Sequence, residues 1–171
     1  YHSARPNIKV RYPAQRHIDE QGGYTNRSIA TGIRLHHILE KAHTAEQLHS
    51  AIEHLAIDCL ISSDEAAKFK SQIVEMLANP TISEWFDGSW DDIKCETDIV
   101  SPGSLRRPDR VMIKGRRAVV VDYKFGQRRN NTYTKQMSEY LSLLASMGKY
   151  DTIEGYVWYV TLGDVVPVTL D

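Results

Sequence analysis

The sequence has few cysteines, no long apolar run and almost no net charge. Its 171 residues include two cysteines, Cys59 and Cys95, which excludes a disulfide framework or a four-cysteine metal site. No apolar run approaches the roughly 20 residues of a membrane span, and no signal peptide is visible. A loop of the form G-x-x-x-x-G-K-[ST] is also missing, so the chain cannot itself be an ATPase. These absences predict a protein of the reducing cytosol that makes no contact with a membrane.

Charge is unevenly distributed along the chain, although the total of 21 basic and 22 acidic residues is close to neutral. Ten basic residues lie between Ser101 and Lys135, and only Asp109 and Asp122 interrupt them. That segment has a net charge of +8, which leaves −9 for the remainder of a chain whose total is −1. A split of this size predicts one basic surface that meets a polyanion, while the rest stays acidic.

The spacing of apolar residues predicts helices first and strands later. Residues 1–27 show little periodicity and are predicted to lead into a single domain over residues 28–171. Helices are predicted over 28–42, 44–59, 62–77, 83–86 and 133–147. Strands are predicted over 93–100, 107–113, 118–123, 153–160 and 165–170. Cys59 falls on the apolar face of the second helix, which predicts a buried thiol. The order predicts an α/β fold, with an N-terminal helical segment and a central mixed sheet flanked by helices.

Three consecutive predicted strands each carry an acidic residue: Glu96, Asp109 and Asp122. Because side chains alternate along a strand, Asp122 and Lys124 point to the same face and Tyr123 to the other. Convergent carboxylates repel one another unless a cation neutralises them, and their oxygens suit Mg²⁺ or Mn²⁺. A hard cation beside a lysine in a basic surface predicts cleavage of a phosphodiester. The open alternative is ordinary ion pairs at strand ends, Asp109 with Arg110 and Asp122 with Lys124.

The motif that these residues form resembles that of a known family. Pro108-Asp109, a hairpin and then Asp122-Tyr-Lys124 resemble the PD-(D/E)xK motif of the restriction-endonuclease-like nucleases. Gly32-Ile-Arg-Leu-His36 is similar to the G-x-x-x-H element of RecB/AddAB-type nuclease domains, and Gln136-Met-Ser-Glu-Tyr140 to their Q-x-x-x-Y element. The elements follow one another in the expected order over residues 32–140. The resemblance implies a restriction-endonuclease-like core and a metal-dependent deoxyribonuclease.

The resemblance also implies a metal site. His36, Asp109, Asp122 and the backbone carbonyl of Tyr123 would hold Mg²⁺, for which Mn²⁺ could substitute, and Lys124 would act beside them. His37 lies about 100° away on the helix and is not expected to be a ligand. For His36 alone, a surface or packing role is the open alternative.

Further residues around this centre have two readings each. Gln136 and Tyr140 are four residues apart and share a helix face, so they could contact the DNA backbone or order the lysine and metal shell. Packing of the helix on the sheet through Tyr140 is compatible with both roles. Glu96 is either a carboxylate that supports the metal ligands from outside or a surface residue. Four arginines flank the centre and are predicted to bind DNA phosphates, with a solvated charge run as the alternative: Arg106, Arg107, Arg128 and Arg129.

The resemblance finally suggests a larger setting. Some relatives carry four cysteines for an iron–sulfur cluster, which this chain cannot supply, so a cluster-free member is implied. Such domains commonly lie at the C-terminus of a UvrD-like helicase, and a start at Tyr1 predicts a piece of a longer protein. This implies a helicase–nuclease for double-strand-break repair in the bacterial cytoplasm. A stand-alone endonuclease and an inactive fold that only binds DNA are the alternatives, and the oligomeric state stays open.

Overall fold

The computed structural model of the chain describes residues 26–95, 99–101, 104–125 and 131–170. Within those residues the helices are α1 (Asn26–Lys41), α2 (Ala45–Ile57), α3 (Ser63–Leu77), α4 (Pro80–Trp85) and α5 (Asn131–Ser146). The strands are β1 (Asp92–Cys95), β2 (Ile99–Ser101), β3 (Ser104–Arg106), β4 (Arg110–Lys114), β5 (Arg117–Lys124), β6 (Thr152–Tyr159) and β7 (Asp164–Val168). A short 3₁₀ helix, Val160–Leu162, joins β6 to β7.

A mixed sheet of five strands, in the order β1-β4-β5-β6-β7, lies at the centre of the described structure. Neighbouring strands of this sheet are antiparallel except β5 and β6, which run parallel. Because parallel strands need a crossover connection, α5 lies between β5 and β6 in the chain. β2 and β3 form a separate antiparallel pair. The apolar strand β5 is central, as predicted, and Gly115 makes the predicted turn before it with φ of 56°. The predicted α/β fold with a mixed sheet and flanking helices is confirmed.

Helices cover both faces of the sheet. The side chains of β5 point alternately to the two faces, and apolar residues on each face pack against helices. Val119, Val121 and Tyr123 pack in the core formed with α1 to α4. Val120 packs in the opposite core, with residues of α5 such as Leu141. Since Asp122 and Lys124 alternate with Tyr123, both belong to the α5 face. The helix that follows the lysine strand therefore covers the face that carries the charged pair.

Gly155 allows α5 to lie very close to the sheet. A Cβ atom at this position of β6 would lie 2.8 Å from Cδ1 of Leu141 and 2.9 Å from Cγ of Met137. Both side chains are fully buried, so they have little room to withdraw. Because Gly155 has no side chain, α5 can lie close to β6. This close packing also places the residues of α5 that lie near the end of β5.

Several predicted boundaries differ from the observed ones. The strand predicted over 93–100 is divided, because β1 ends at Cys95 and β2 begins at Ile99. Asp109 lies immediately before β4 and not within a strand. Pro80 does more than stop α3: it begins α4, where a proline needs no backbone N–H, and Asn79 caps that helix. Residues 1–25 of the predicted lead-in segment and Glu96 lie outside the described residues.

The prediction of a buried Cys59 is wrong. α2 ends at Ile57, and Cys59 lies beyond it as an exposed residue with φ of 55°. The apolar spacing of the sequence continues past the end of the helix, so Cys59 has no place on the buried face. No helix in the described part of the chain combines the length and apolar character that crossing a membrane would need.

Candidate active site

Asp109 lies where α1 meets the beginning of β4, and 4% of its surface is exposed. Its Oδ1 is 3.0 Å from Nε2 of His36 on α1. Its Oδ2 accepts a hydrogen bond of 2.6 Å from the backbone N–H of Tyr123. The side chain of Asp109 thus adds one more hydrogen bond between the chain before β4 and the neighbouring strand β5. The structure thus brings together His36 and Asp109, two residues 73 positions apart whose proximity the resemblance implied.

Aromatic rings hold the imidazole of His36 in this position. The rings of Tyr123 and Phe125 both make edge contacts with it, at centroid distances of 5.9 Å. Phe125 directly follows the lysine at the end of β5, and its carbonyl accepts a hydrogen bond from the Thr161 hydroxyl. The three aromatic groups therefore couple α1 to the end of the central strand.

Asp122 and Lys124 are neighbours of this group on β5, with 1% and 2% of their surfaces exposed. Arg110 pairs with Val121 in the sheet, so Asp109, one residue earlier, lies beside Asp122, one residue later. Nζ of Lys124 is 2.5 Å from Oδ2 of Asp122, an ion pair between two buried side chains. Among the described residues, neither carboxylate oxygen of Asp122 has a hydrogen-bond partner. Two carboxylates and one ammonium are thus buried close together.

The two carboxylates differ strongly in acidity because their surroundings differ. Burial raises the pKa of Asp109, but the hydrogen bond with His36 and nearby positive charge outweigh it and lower that pKa to about 2. Burial, and next the charge of Asp109, raise the pKa of Asp122 to about 7, against the opposing effect of Lys124. Removal of two like charges from water in one place is costly, and a bound cation would relieve that cost.

The donors present fit a hard divalent cation. Asp122 supplies two buried oxygens without hydrogen bonds, and Asp109 and His36 supply further oxygen and nitrogen donors. In the described residues, however, no three side chains of the histidine, cysteine, aspartate or glutamate type are arranged to hold a metal as they stand. Nε2 of His36 and Oδ1 of Asp109 face each other in this structure. Glu96, the other acidic candidate, lies outside the described residues.

Gln136 and Tyr140 share the face of α5 that their spacing predicts. Nε2 of Gln136 donates a hydrogen bond of 3.0 Å to the hydroxyl of Tyr140, whose side chain is buried in the core beside the sheet. The expected packing of α5 on the sheet through Tyr140 is confirmed.

Sequence reasoning missed Tyr133, whose ring lies over the ammonium of Lys124 at 4.6 Å from the centroid. A signal was available, because residues 133, 136 and 140 have the three- and four-residue spacing of one helix face.

The alternative interpretation makes Arg110 an ion-pair partner for Asp109, and the structure gives it another role. The side chain is fully buried, and its guanidinium donates hydrogen bonds to the carbonyls of Ala42 at 2.7 Å and Trp85 at 2.9 Å. A longer bond of 3.4 Å reaches the carbonyl of Leu39, and the group packs over the ring of Phe86. Arg110 therefore fastens the end of α1, which carries His36, to the strand that follows Asp109.

Fewer basic residues of the segment 101–135 are available to bind a polyanion than its net charge suggests. Arg117 is paired with Glu84 and Glu154, and Arg116 with Asp151. Arg110 and Lys124 are buried, so at least four of the ten basic residues are engaged in the fold. Arg107 is exposed. The side chains of Arg106, Arg128 and Arg129 lie outside what the structure describes.

Comparison with known proteins gives one match of high coverage. A family model described as the PD-(D/E)XK nuclease superfamily matches residues 9–167, a range that contains every residue of the site. No curated protein matches the sequence significantly. The observed mixed sheet with helices on both faces is consistent with a restriction-endonuclease-like fold.

Proposed function

The chain belongs to the PD-(D/E)XK nuclease superfamily, and on that premise we propose that it is a divalent-metal-dependent deoxyribonuclease. Membership indicates a nuclease, and the metal dependence and the DNA substrate are the proposed part. One observation carries them: two carboxylates and one lysine are buried together, and apart from the ion pair with Lys124 the oxygens of Asp122 have no hydrogen-bond partner among the described residues. Burial of these charges lowers the stability of the fold unless a bound cation compensates it, and such a cost is typical of a functional site.

The proposed metal ligands are His36, Asp109, Asp122 and the backbone carbonyl of Tyr123. The ion is Mg²⁺, for which Mn²⁺ can substitute, and no iron–sulfur cluster takes part. When bound, it would polarise a phosphoryl oxygen and lower the pKa of a water molecule. The hydrogen bond from the Tyr123 amide keeps Asp109 at the strand end, so the carboxylate is oriented before any ion arrives.

Lys124 has the role of stabilising charge on the phosphate in the transition state. Its ammonium is buried, and in such surroundings a fixed positive charge acts more strongly than it would in water. Gln136 and Tyr140 order the helix face beside it. Glu96 is the candidate for a further carboxylate near the metal. The proposed phosphate contacts of the DNA backbone are Arg106, Arg107, Arg128 and Arg129.

A cleavage assay tests the proposal on linear single- and double-stranded DNA with Mg²⁺, Mn²⁺ or EDTA. Asp122→Asn and Lys124→Ala are each expected to reduce metal-dependent cleavage by at least about 100-fold. Asp151→Asn and Lys149→Ala change exposed residues of the same types and should leave cleavage unchanged. Cleavage that persists in EDTA contradicts the metal dependence. DNA binding without cleavage in any metal would favour an inactive fold that only binds DNA.

The proposed setting is a helicase–nuclease that acts in double-strand-break repair in the bacterial cytoplasm, with the helicase in the same polypeptide or complex. The His36 and Gln136/Tyr140 elements support it, because they resemble those of RecB/AddAB-type domains. The full-length parent should degrade linear duplex DNA only with ATP, and should spare closed circles. Cutting of closed circles without ATP would instead favour a stand-alone structure-specific or restriction-type endonuclease.

A further inference from the structure

The ring of Tyr133 and the carboxylate of Asp122 contact the ammonium of Lys124 from two different elements. Nζ lies 4.6 Å from the centroid of the ring and 2.5 Å from Oδ2 of Asp122. We propose that Tyr133 is a positioning residue, which holds the lysine for catalysis through a cation–π interaction. This inference rests on the proposed nuclease function, in which Lys124 stabilises charge on the phosphate.

The fold explains why this tyrosine reaches the lysine. Lys124 is the last residue of β5, and Tyr133 lies in the first turn of α5, the helix that crosses back to β6. The close approach allowed by Gly155 seats α5 on the sheet. Lys124 is in register with Tyr159 of β6, whose ring lies 6.4 Å from that of Tyr133. The ring of Tyr133 is therefore bounded by the lysine and by a second aromatic group.

A lysine needs such a restraint because its four-carbon side chain has many rotamers. The ion pair with Asp122 restrains the ammonium of Lys124 from the side of β5 only. The flexible side chain of the lysine needs a second contact from another element to be held in one place. The negative face of an aromatic ring attracts an ammonium, and the attraction strengthens when both groups are removed from water. Lys124 is 2% exposed and Tyr133 is half-buried. Together the carboxylate and the ring hold the ammonium at the end of β5, where the proposed metal ligands converge.

A ring that merely filled space would behave differently from one that attracts the ammonium, and fluorination separates the two. Each fluorine on a phenylalanine ring withdraws electrons and weakens the negative face, while the size of the side chain changes little. Tyr133→Phe keeps the aromatic face, and Tyr133→Leu removes it. Positioning predicts that activity follows the electrons of the ring, whereas packing predicts that it follows the volume.

The experiment measures kcat and KM of the full chain on linear DNA with Mg²⁺. Tyr133→Phe should remain within about 3-fold of the wild-type kcat, and Tyr133→Leu should lose about 10- to 30-fold with KM unchanged. Phenylalanine with one, two or three fluorines at position 133 should lower kcat step by step. Tyr156→Leu is the control, because it removes a half-buried tyrosine that contacts Glu154 and not the lysine.

Two results would overturn the inference while the nuclease proposal stands. One is a Tyr133→Leu variant with wild-type kcat when Lys124→Ala is inactive, and the other is equal activity of all fluorinated proteins. Absence of cleavage by the wild type in every metal would instead contradict the proposed function. The contact is then decided by NMR, because the ring should shift the Hε signals of Lys124 upfield. Signals that do not move on Tyr133→Leu refute the contact itself.

Discussion

Replacement of Arg110 by methionine should destabilise the protein strongly, although methionine has a similar length and fits an apolar core. Hydrogen bonds to a charged group contribute about 1.5–3 kcal/mol each, so the two short bonds of Arg110 contribute roughly 3–6 kcal/mol. They reach the carbonyls of Ala42 at 2.7 Å and Trp85 at 2.9 Å, which methionine would leave without this donor. Relief of the desolvation cost of a buried guanidinium offsets part of the loss. The expected net loss is about 3 kcal/mol.

Urea unfolding followed by circular dichroism measures this loss. For a chain of this size, about 3 kcal/mol corresponds to a fall in Tm of roughly 6–12 °C. Arg116→Met is the matched control, because that arginine is exposed and pairs with the exposed Asp151, where ion pairs contribute little. If the two variants unfold at the same urea concentration, the bonds of Arg110 do not hold α1 and α4 to the sheet. The account of how His36 is placed would then be wrong.

Three further substitutions test the packing around the site. Gly155→Ala should destabilise the fold by about 1–3 kcal/mol in urea melts, because its Cβ would lie 2.8 Å from Cδ1 of Leu141. Gly32→Ala should stabilise it by up to about 1 kcal/mol, since a Cβ there meets Phe125 at an ordinary 3.7 Å and alanine favours the helix. Tyr123→Phe should leave stability and cleavage unchanged, because the buried hydroxyl has no hydrogen-bond partner among the described residues. A loss of stability or of cleavage in this variant would show that the hydroxyl does have a partner.

Local chemistry made the centre of the site predictable from the sequence. The run Val119–Val121 is apolar enough to be a central strand, and charge that follows such a run must be compensated. Alternation along the strand then placed Asp122 and Lys124 on one face. The structure confirms that face and adds the contact between Asp109 and His36, which motif order implied but residue spacing alone could not measure.

Long-range partners explain what the sequence did not reveal. Arg110, Arg116 and Arg117 look alike within a basic run, yet Arg110 is buried against backbone carbonyls while the other two pair with carboxylates. Arg117 finds its carboxylates 33 and 37 residues away, and Arg110 reaches carbonyls up to 71 residues away. Counting charge along a segment treats all three as surface. Backbone carbonyls as partners are invisible to any such count, because every residue has one.

Asp122 should impose a cost on the metal-free protein that Asp122→Asn removes. Its pKa of about 7 in the fold lies above the ordinary 3.8, so the folded state holds the proton more tightly than the unfolded state does. The resulting stabilisation is complete below pH 3.8 and is lost as pH rises towards 7. Asp109 acts outside this window, because its lowered pKa of about 2 lies below 3.8. Asparagine has no proton to lose, so the variant should escape the decline.

The difference in unfolding free energy between Asp122→Asn and wild type, measured in EDTA, should therefore increase from pH 4 to pH 7. Titrating groups away from the site are common to both proteins and cancel in the difference. Added Mg²⁺ should reduce or reverse the gap at pH 7, because an ion that binds only the folded wild type stabilises it. A difference that is independent of pH would mean that the carboxylate is not strained by burial and by Asp109. A site built around a cation would then have no electrostatic basis.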